Sequence, residues 1–296
     1  MAKNPPFARV IAAVATPFFP DDKVDLGRLL AHCRWLLAEG CDGLLLFGST
    51  GEAPSLTLDE RHAIIDHLVA NGVSAAKLLI GSGCCALEDT LALTRHALAQ
   101  KCAGVLVLPP FFFKNIADDG LLRYYAELIE RTADDRLALY LYHFPQTSQV
   151  PISVELTRGL VERYPGTIRG YKDSSGDWAN TERFLREFPD LDIYSSTEAR
   201  IGDVLRLGGA GCVSATANVQ PRAIRAVVEA AGTPAQTGLQ KSVAECRNAF
   251  AGLPVVPAVK AALESIHNDP AWSLMRAPLT PLEISARTGL LTAIGL

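Results

Sequence analysis

The chain has 296 residues, of which 49% are hydrophobic and 20% charged, and its formal net charge is −4. This composition is that of an ordinary globular protein, and a slightly acidic chain without a Lys/Arg run is not expected to bind nucleic acid or an anionic membrane. No apolar run reaches the roughly 18 residues of a membrane helix, and the first residues, MAKNPPFARV, do not resemble a secretory signal. The sequence therefore predicts a cytoplasmic protein with a large core.

The seven cysteines are odd in number and form no C-x-x-C pair. Several lie in apolar stretches, as in GAGCVSA, so we expect them to be reduced and buried. His62 and His67 are five residues apart, which does not place two ligands on one helix face. We therefore expect no metal.

Short apolar runs alternate with amphipathic stretches along most of the chain. The runs predict strands at 10–17, 43–47, 77–82, 104–109, 137–142, 167–172, 192–196 and 211–215. The stretches between them predict helices at 26–39, 58–71, 86–101, 120–133, 152–164, 178–188 and 199–208. Thr57 and Glu60 have the spacing of a capping box at the start of the second helix.

Eight strands with a helix in every gap favour an α/β fold, a (β/α)8 TIM barrel with a C-terminal helical extension. An open doubly wound sheet is the alternative. Residues 1–216 would supply the strands and helices of the barrel, and residues 217–296 the closing and appended helices of the same structural unit.

In such a barrel the chemistry lies at the carboxyl ends of the strands, where Lys172 ends the sixth predicted strand in TIRGYK. Strand alternation places Gly170 and Ile168 in the lumen with Lys172, whereas Tyr171 and Asp173 face outward. Gly170 would leave room for the lysine. The side chain is then either a solvated strand end or a nucleophile, since a desolvated amine attacks carbonyls when its pKa is lowered.

Three other strand ends carry candidate motifs. GSTGE (48–52) places Ser49 and Thr50 in a loop that is either a nest for a small carboxylate or phosphate, or an ordinary turn. In YHFP, Tyr142 can face the lumen beside Lys172 and shuttle protons, while His143 has the opposite parity and is interpreted as structural. GSGCCA (81–86) matches a dinucleotide-binding pattern, but no carboxylate follows the next strand, so we interpret it as a tight turn.

GSTGE, YHFP, GYKDSSGD and GGAGCVSATAN occur in this order, and together they resemble the dihydrodipicolinate synthase/N-acetylneuraminate lyase family from about residue 8 to residue 280. The resemblance implies a (β/α)8 class I aldolase or lyase that works through a lysine Schiff base with pyruvate. It also implies a homo-oligomer, a tetramer or dimer, that needs no cofactor.

The resemblance also assigns roles to single residues. Lys172 would form the Schiff base, and Tyr142 would relay protons together with Thr50. The loop at Gly48 and Ser49, with Thr50, would bind the pyruvate carboxylate. The backbone of Val213 would lie against the bound keto acid.

Two positions depart from the family pattern. Dihydrodipicolinate synthases carry a carboxylate-binding arginine where this chain has Thr147. Many members have a tyrosine that reaches the neighbouring subunit's site where this chain has Phe112, which has no hydroxyl.

The sequence therefore favours an aldolase or lyase that joins pyruvate to an aldehyde, or reverses that reaction, with a sugar-acid or hydroxy-keto-acid substrate. The aldehyde side would be recognised around Phe112, Gln146, Thr147, Thr197 and Glu198, whose neutral members indicate a polyhydroxy or uncharged aldehyde. Three alternatives stay open: dihydrodipicolinate synthase, which uses aspartate semialdehyde, a dehydratase with the same imine, and a non-catalytic paralogue that binds a keto acid.

Overall fold

The structure, a computed structural model, describes residues 7–296. In this range eight parallel strands form a closed barrel in chain order, because the first strand pairs with both the second and the last. The strands are β1 (Val10–Ala13), β2 (Gly43–Leu46), β3 (Leu78–Gly81), β4 (Gly104–Val107), β5 (Leu139–His143), β6 (Ile168–Asp173), β7 (Asp192–Ser195) and β8 (Gly211–Ser214). The predicted barrel is confirmed, and closure excludes the open sheet.

Helices fill the gaps between strands and continue beyond the barrel. They are α1 (Leu26–Ala38), α2 (Leu58–Ala70), α3 (Leu87–Ala99), α4 (Asp118–Thr132), α5 (Pro145–Ser148), α6 (Val154–Arg163), α7 (Trp178–Glu187), α8 (Ile201–Arg206), α9 (Pro221–Glu229), α10 (Ala235–Ala249), α11 (Val255–His267) and α12 (Ile284–Ile294). The capping box of Thr57 and Glu60 is present at the start of α2. The single-turn helix α5 was not predicted.

The strands are buried on both faces, which explains their nearly continuous apolar sequences. In β2, Leu44 and Leu46 belong to the layer between barrel and helices, whereas Leu45 belongs to a cluster in the lumen. The lumen cluster includes the side chains Ile11, Ala13, Leu79, Leu106, Tyr140, Tyr142, Tyr194 and Val213. A packed lumen leaves open space only at the barrel ends.

One predicted orientation in β6 is wrong. Ile168 packs in the outer layer with Leu139, and not in the lumen. The cause is a register irregularity: Leu139 is opposite Ile168, but the next residue, Tyr140, is opposite Gly170. The extra residue, Arg169, shifts the alternation at this point, so that counting back by twos from Lys172 fails.

Gly170 also has a different role from the one predicted. A Cβ at this position would lie 2.4 Å from the carbonyl oxygen of Asp192 and 2.5 Å from the ring of Tyr140. Glycine therefore makes room for Tyr140 and the neighbouring strand, and not for the side chain of Lys172.

Beyond β8, the chain adds helices that pack on the barrel and extend over the carboxyl ends of its strands. Helix α9 packs against β1, and α11 packs against α12. A separate apolar cluster, with Phe250, Val259 and Trp272 among its members, joins these C-terminal helices to Ala15 after β1. Within residues 7–296 no helix is both long and apolar enough to cross a membrane.

All seven cysteines are unpaired, as predicted. Cys33, Cys41 and Cys212 are buried, but Cys85 is exposed, so the expectation of burial does not hold for every cysteine.

Candidate active site

A cavity of about 450 Å³ opens at the carboxyl ends of the barrel strands. Five residues singled out in the sequence line it: Ser49 and Thr50 after β2, Tyr142 in β5, Lys172 in β6 and Val213 in β8. Its volume is that of a site for a small organic ligand. The barrel therefore gathers residues that are up to 164 positions apart, from Ser49 to Val213, around one space.

Lys172 lies in β6 between two aromatic neighbours, with Tyr142 opposite it in β5 and Tyr194 opposite it in β7. The residue is only 4% exposed, and its Nζ is 4.2 Å from the centroid of the Tyr142 ring. It forms no ion pair with any acidic group of residues 7–296. The Lys172 amine therefore lies at the wall of the cavity without a carboxylate that would hold it in an ion pair.

The pKa of the Tyr142 phenol lies below its ordinary value of 10. Burial by itself would raise this pKa, but the positive charge of Lys172 lowers it, and so do polar contacts with Ser49, Ser174 and Lys172, and these effects outweigh burial. A phenol whose pKa is lowered donates its proton more readily, and its anion is better stabilised. Tyr142 therefore lies beside the Lys172 amine with a phenol whose pKa is lowered.

The loop that carries Ser49 and Thr50 is held in a fixed shape. Thr16 donates a hydrogen bond of 2.7 Å to the carbonyl oxygen of Gly51, and a Cβ on Gly51 would lie 2.7 Å from the Val14 carbonyl oxygen. The backbone N–H groups of Ser49 and Thr50 donate to no backbone acceptor in residues 7–296. Such unpaired donors beside two hydroxyls are able to bind a small carboxylate.

Comparison with known proteins assigns the chain to a family. The profile of the dihydrodipicolinate synthetase family matches residues 6–295. The chain belongs to the dihydrodipicolinate synthetase family. The resemblance inferred from the four sequence motifs is confirmed.

Individual relatives differ in what their names say. An uncharacterized DapA-like lyase of Chloroflexus aurantiacus is 34% identical, over 92% of this chain and 91% of its own length. A 4-hydroxy-tetrahydrodipicolinate synthase of Azoarcus sp. is 29% identical over 96% of both chains. The crystal structure of dihydrodipicolinate synthase from Agrobacterium tumefaciens superimposes with a TM-score of 0.90 at 32% identity, covering 97% of this chain and 98% of that one.

Five residues were predicted to recognise the aldehyde, and of these one lines the main cavity and four do not. Thr147 lines it. Gln146 points instead to the carbonyl oxygen of Ser175, and Thr197 caps a short 3-10 turn. The remaining two, Phe112 and Glu198, have the most different surroundings.

Phe112 is 73% exposed and does not line the main cavity. Glu198 is fully buried behind the cavity wall, where its carboxylate accepts hydrogen bonds from Ser214, Thr216 and Gln220. The position of a residue after a strand did not show whether its side chain faces the cavity or points away from it.

Gly48, which the sequence placed with Ser49 and Thr50, lines a second cavity of about 390 Å³. This second cavity lies beside the first, since both are lined by Ser49, Tyr142 and Thr147. The family's loop therefore separates two neighbouring spaces, with Gly48 on one side and Thr50 on the other.

The sequence analysis assigned no role to several residues of the main cavity, among them Ser174, Ser196, Arg247, the segment 254–257 and Leu279. Ser174 and Ser196 follow β6 and β7, so they belong to the strand ends where the barrel rule expects a site. Arg247 comes from α10, and residues 254–257 form the N-cap and first turn of α11, outside the repeating barrel. No sequence pattern indicated these residues.

No group of three or more His, Cys, Asp or Glu side chains in the described part of the chain is arranged to hold a metal ion. His143 accepts a hydrogen bond of 3.0 Å from the backbone N–H of Ile152 and stacks on Tyr171, both away from the cavity. This placement agrees with its interpretation as a structural residue.

Proposed function

We propose that this protein is a class I aldolase or lyase in which Lys172 forms a Schiff base with pyruvate. The single observation that carries the proposal is the buried Lys172 amine, without an ion-pair partner in residues 7–296, beside a tyrosine whose pKa is lowered. Membership of the dihydrodipicolinate synthetase family supports it.

In the proposed reaction the neutral amine of Lys172 attacks the keto carbon of pyruvate and forms a carbinolamine. Tyr142 donates a proton to the departing hydroxyl, so that water leaves and a protonated imine remains. The imine withdraws electrons, and the Tyr142 phenolate takes a proton from the methyl carbon, which gives an enamine. This enamine adds to the aldehyde carbon while Tyr142 returns the proton to the aldehyde oxygen. Hydrolysis of the new imine by water releases a 4-hydroxy-2-keto acid and free Lys172.

Ser49 and Thr50 would hold the pyruvate carboxylate during these steps. Their hydroxyls line the cavity, and their backbone N–H groups have no backbone acceptor in the described chain. Anchoring the carboxylate fixes which face of the enamine meets the aldehyde, and orientation of this kind contributes to rate. Val213 would form the opposite wall, since it lines the same cavity from β8.

Dihydrodipicolinate synthase is the second candidate, favoured by the names of two of these relatives. Its substrate, aspartate semialdehyde, carries an ammonium group beside its carboxylate. The lining of the main cavity contains no acidic side chain for that ammonium, and Thr147 stands where the resemblance places an arginine. We therefore propose that the second substrate is a hydroxylated aldehyde. Its product with pyruvate is then a sugar acid or a related hydroxy-keto acid.

The Schiff base is tested by reduction. Incubation with pyruvate and sodium borohydride is expected to add one reduced pyruvate to the peptide that contains Lys172, as seen by peptide mass spectrometry. Lys172→Ala should carry no adduct, whereas Lys114→Ala, which removes a surface lysine, should be labelled like the wild type. Unlabelled wild-type protein at neutral and mildly alkaline pH would refute the proposal.

A second experiment addresses Tyr142. Tyr142→Phe is expected to lower kcat by about 10²- to 10⁴-fold, because it removes a proton donor but keeps the ring. In the wild type, rate should fall on the alkaline side below pH 10, where the phenol, with its lowered pKa, loses its proton. This alkaline limb should be absent in Tyr142→Phe. An unchanged alkaline limb in that variant would assign the proton transfer to another group.

A further inference from the structure

The main cavity contains one charged side chain that the proposed chemistry does not use. Arg247 lies in the last turn of α10 and lines the cavity together with Lys172. Among residues 7–296 no acidic side chain lines this space. Arg247 therefore gives the cavity a positive charge to which the proposed chemistry assigns no purpose.

Arg247 has few partners within the protein. It forms no ion pair with an acidic group of residues 7–296, although most arginines of this range do. Its one hydrogen bond is a long one, 3.5 Å from Nη1 to Oγ1 of Thr216. A guanidinium has five N–H donors, so most of its donor capacity is left for a ligand.

The nearest buried acid does not account for this arginine. The carboxylate of Glu198 already accepts hydrogen bonds from Ser214, Thr216 and Gln220. Arg247 reaches Glu198 only through the shared hydroxyl of Thr216. Thr216 therefore links the guanidinium to Glu198 through one long hydrogen bond, and the other guanidinium donors have no side-chain acceptor in residues 7–296.

We propose that Arg247 binds a terminal anionic group, a carboxylate or a phosphate, on the aldehyde half of the substrate. This inference rests on the proposed function, in which Ser49 and Thr50 already hold the carboxylate of pyruvate. The planar guanidinium binds such anions through two parallel hydrogen bonds. The substrate aldehyde is thus anionic, unlike the uncharged aldehyde that the residues after β5 and β7 indicated.

The rest of the lining fits the middle of such a molecule. Thr147, Ser174 and Ser196 line the cavity, and hydroxyl side chains of this kind are able to bind hydroxyls of a substrate. The substrate class that results is a short hydroxyaldehyde with an anion at the end remote from the aldehyde carbon. Its product with pyruvate is a 4-hydroxy-2-keto acid that is anionic at both ends.

The test compares two keto acids of equal chain length, 2-oxoadipate and 2-oxohexanoate, which differ only in a distal carboxylate. Both are able to form an imine with Lys172, and the half-saturating concentration for the borohydride-reduced adduct measures binding without turnover. The wild type is expected to prefer 2-oxoadipate by about 10- to 100-fold, the range for a charge-assisted hydrogen bond. Arg247→Gln should abolish this preference.

Lys241→Gln is the matched control, because it removes a positive charge from an exposed position of the same helix. It should keep the wild-type preference. Turnover of D-glyceraldehyde 3-phosphate against D-glyceraldehyde, in the same three proteins, examines phosphate as the anion. The proposal is supported if the wild type prefers the charged member of either pair and Arg247→Gln removes that preference. The pair that shows the preference identifies the anion.

Equal binding and turnover of charged and uncharged partners in the wild type, or a preference that survives in Arg247→Gln, would overturn the role of Arg247. Labelling by pyruvate distinguishes failure of the Arg247 anion site from failure of the Schiff-base function. If pyruvate labels Lys172 and the preference is absent, only the anion site is wrong. If pyruvate leaves no adduct, the Schiff-base function fails and the role of Arg247 in it fails too.

Discussion

Replacing Lys172 by methionine is expected to lower kcat by about 10⁴-fold or more, because no other group would form the imine. The same substitution should leave the free energy of unfolding unchanged or raise it by up to about 2 kcal/mol. Lys172 is 4% exposed and has no ion-pair partner in residues 7–296, so its removal leaves no charge behind. Methionine is of similar length and fills the same space.

The two effects are measured separately, kcat with pyruvate and an aldehyde, and stability by urea denaturation at pH 7. The combination distinguishes a nucleophile from a structural lysine, since a structural lysine would be needed for both folding and activity. A loss of several kcal/mol in Lys172→Met would mean that Lys172 has a partner that stabilises the fold. Measurable turnover in the variant would remove Lys172 from the chemistry.

The barrel was predictable because each strand is buried on both faces. That burial forces apolar sequences of four to six residues, such as GLLL in β2, with small or polar residues directly after them. The carboxyl-end rule then placed Ser49, Thr50, Tyr142 and Lys172 at one end of the barrel, and in the structure they line one cavity. The rule by itself left each of these motifs open to a structural interpretation, and the family resemblance assigned their roles.

The orientation of Ile168 was not predictable in the same way. Alternation by two holds only while the register is regular, and the irregularity opposite Leu139 leaves no composition signal in TIRGYK. The prediction that Glu198 lines the aldehyde side of the site was wrong for a related reason. It follows β7 as a cavity residue would, but the 3-10 turn over Glu198–Arg200 directs its carboxylate to Ser214 and Thr216.

Arg247 lay beyond sequence reasoning because its position depends on how the C-terminal helices dock. On α10 it is one of several polar residues between apolar ones, and nothing in AQTGLQKSVAECRNA marks it. Only the packing of α10 and α11 over the barrel end brings it to the cavity. A cavity residue supplied by the C-terminal helices is therefore less visible in this sequence than the cavity residues at the strand ends.

The chain has a second buried lysine, Lys260 in α11, whose surroundings are the opposite of those of Lys172. Lys260 is fully buried and forms an ion pair with Glu52, which is equally buried, in the GSTGE loop. Its Nζ also donates a 2.7 Å hydrogen bond to the carbonyl oxygen of Leu274 and lies 4.6 Å from the centroid of the Phe18 ring. This pair joins the C-terminal helices to the loop that carries Ser49 and Thr50.

Burial acts on both members of the pair. It raises the pKa of Glu52 and lowers the pKa of Lys260, and in each case the charge of the partner opposes the shift. Removal of Lys260 would leave the Glu52 carboxylate without that opposing charge, and its pKa in the folded protein would rise further. An acid with a raised folded pKa contributes stability below its unfolded pKa and loses it as pH rises through the folded pKa.

Lys260→Met is therefore expected to lower the free energy of unfolding by about 3–5 kcal/mol at pH 7, the range for removing one member of a buried ion pair. The loss should be smaller at pH 5 than at pH 8, because the remaining carboxylate is protonated at low pH. Urea denaturation at several pH values measures both effects. Glu52→Gln/Lys260→Met should recover at least half of the lost stability, since no buried charge is left.

Lys172→Met is the control for this substitution, because it exchanges the same two residue types at another buried position. Equal stability of Lys172→Met and Lys260→Met would show that the Glu52 pair does not hold the C-terminal helices to the loop. A double variant no more stable than Lys260→Met alone would show that lost packing, and not the isolated carboxylate, causes the effect. Within residues 7–296 the chain thus contains one buried lysine without an ion-pair partner, at the cavity, and another that is paired with a buried glutamate.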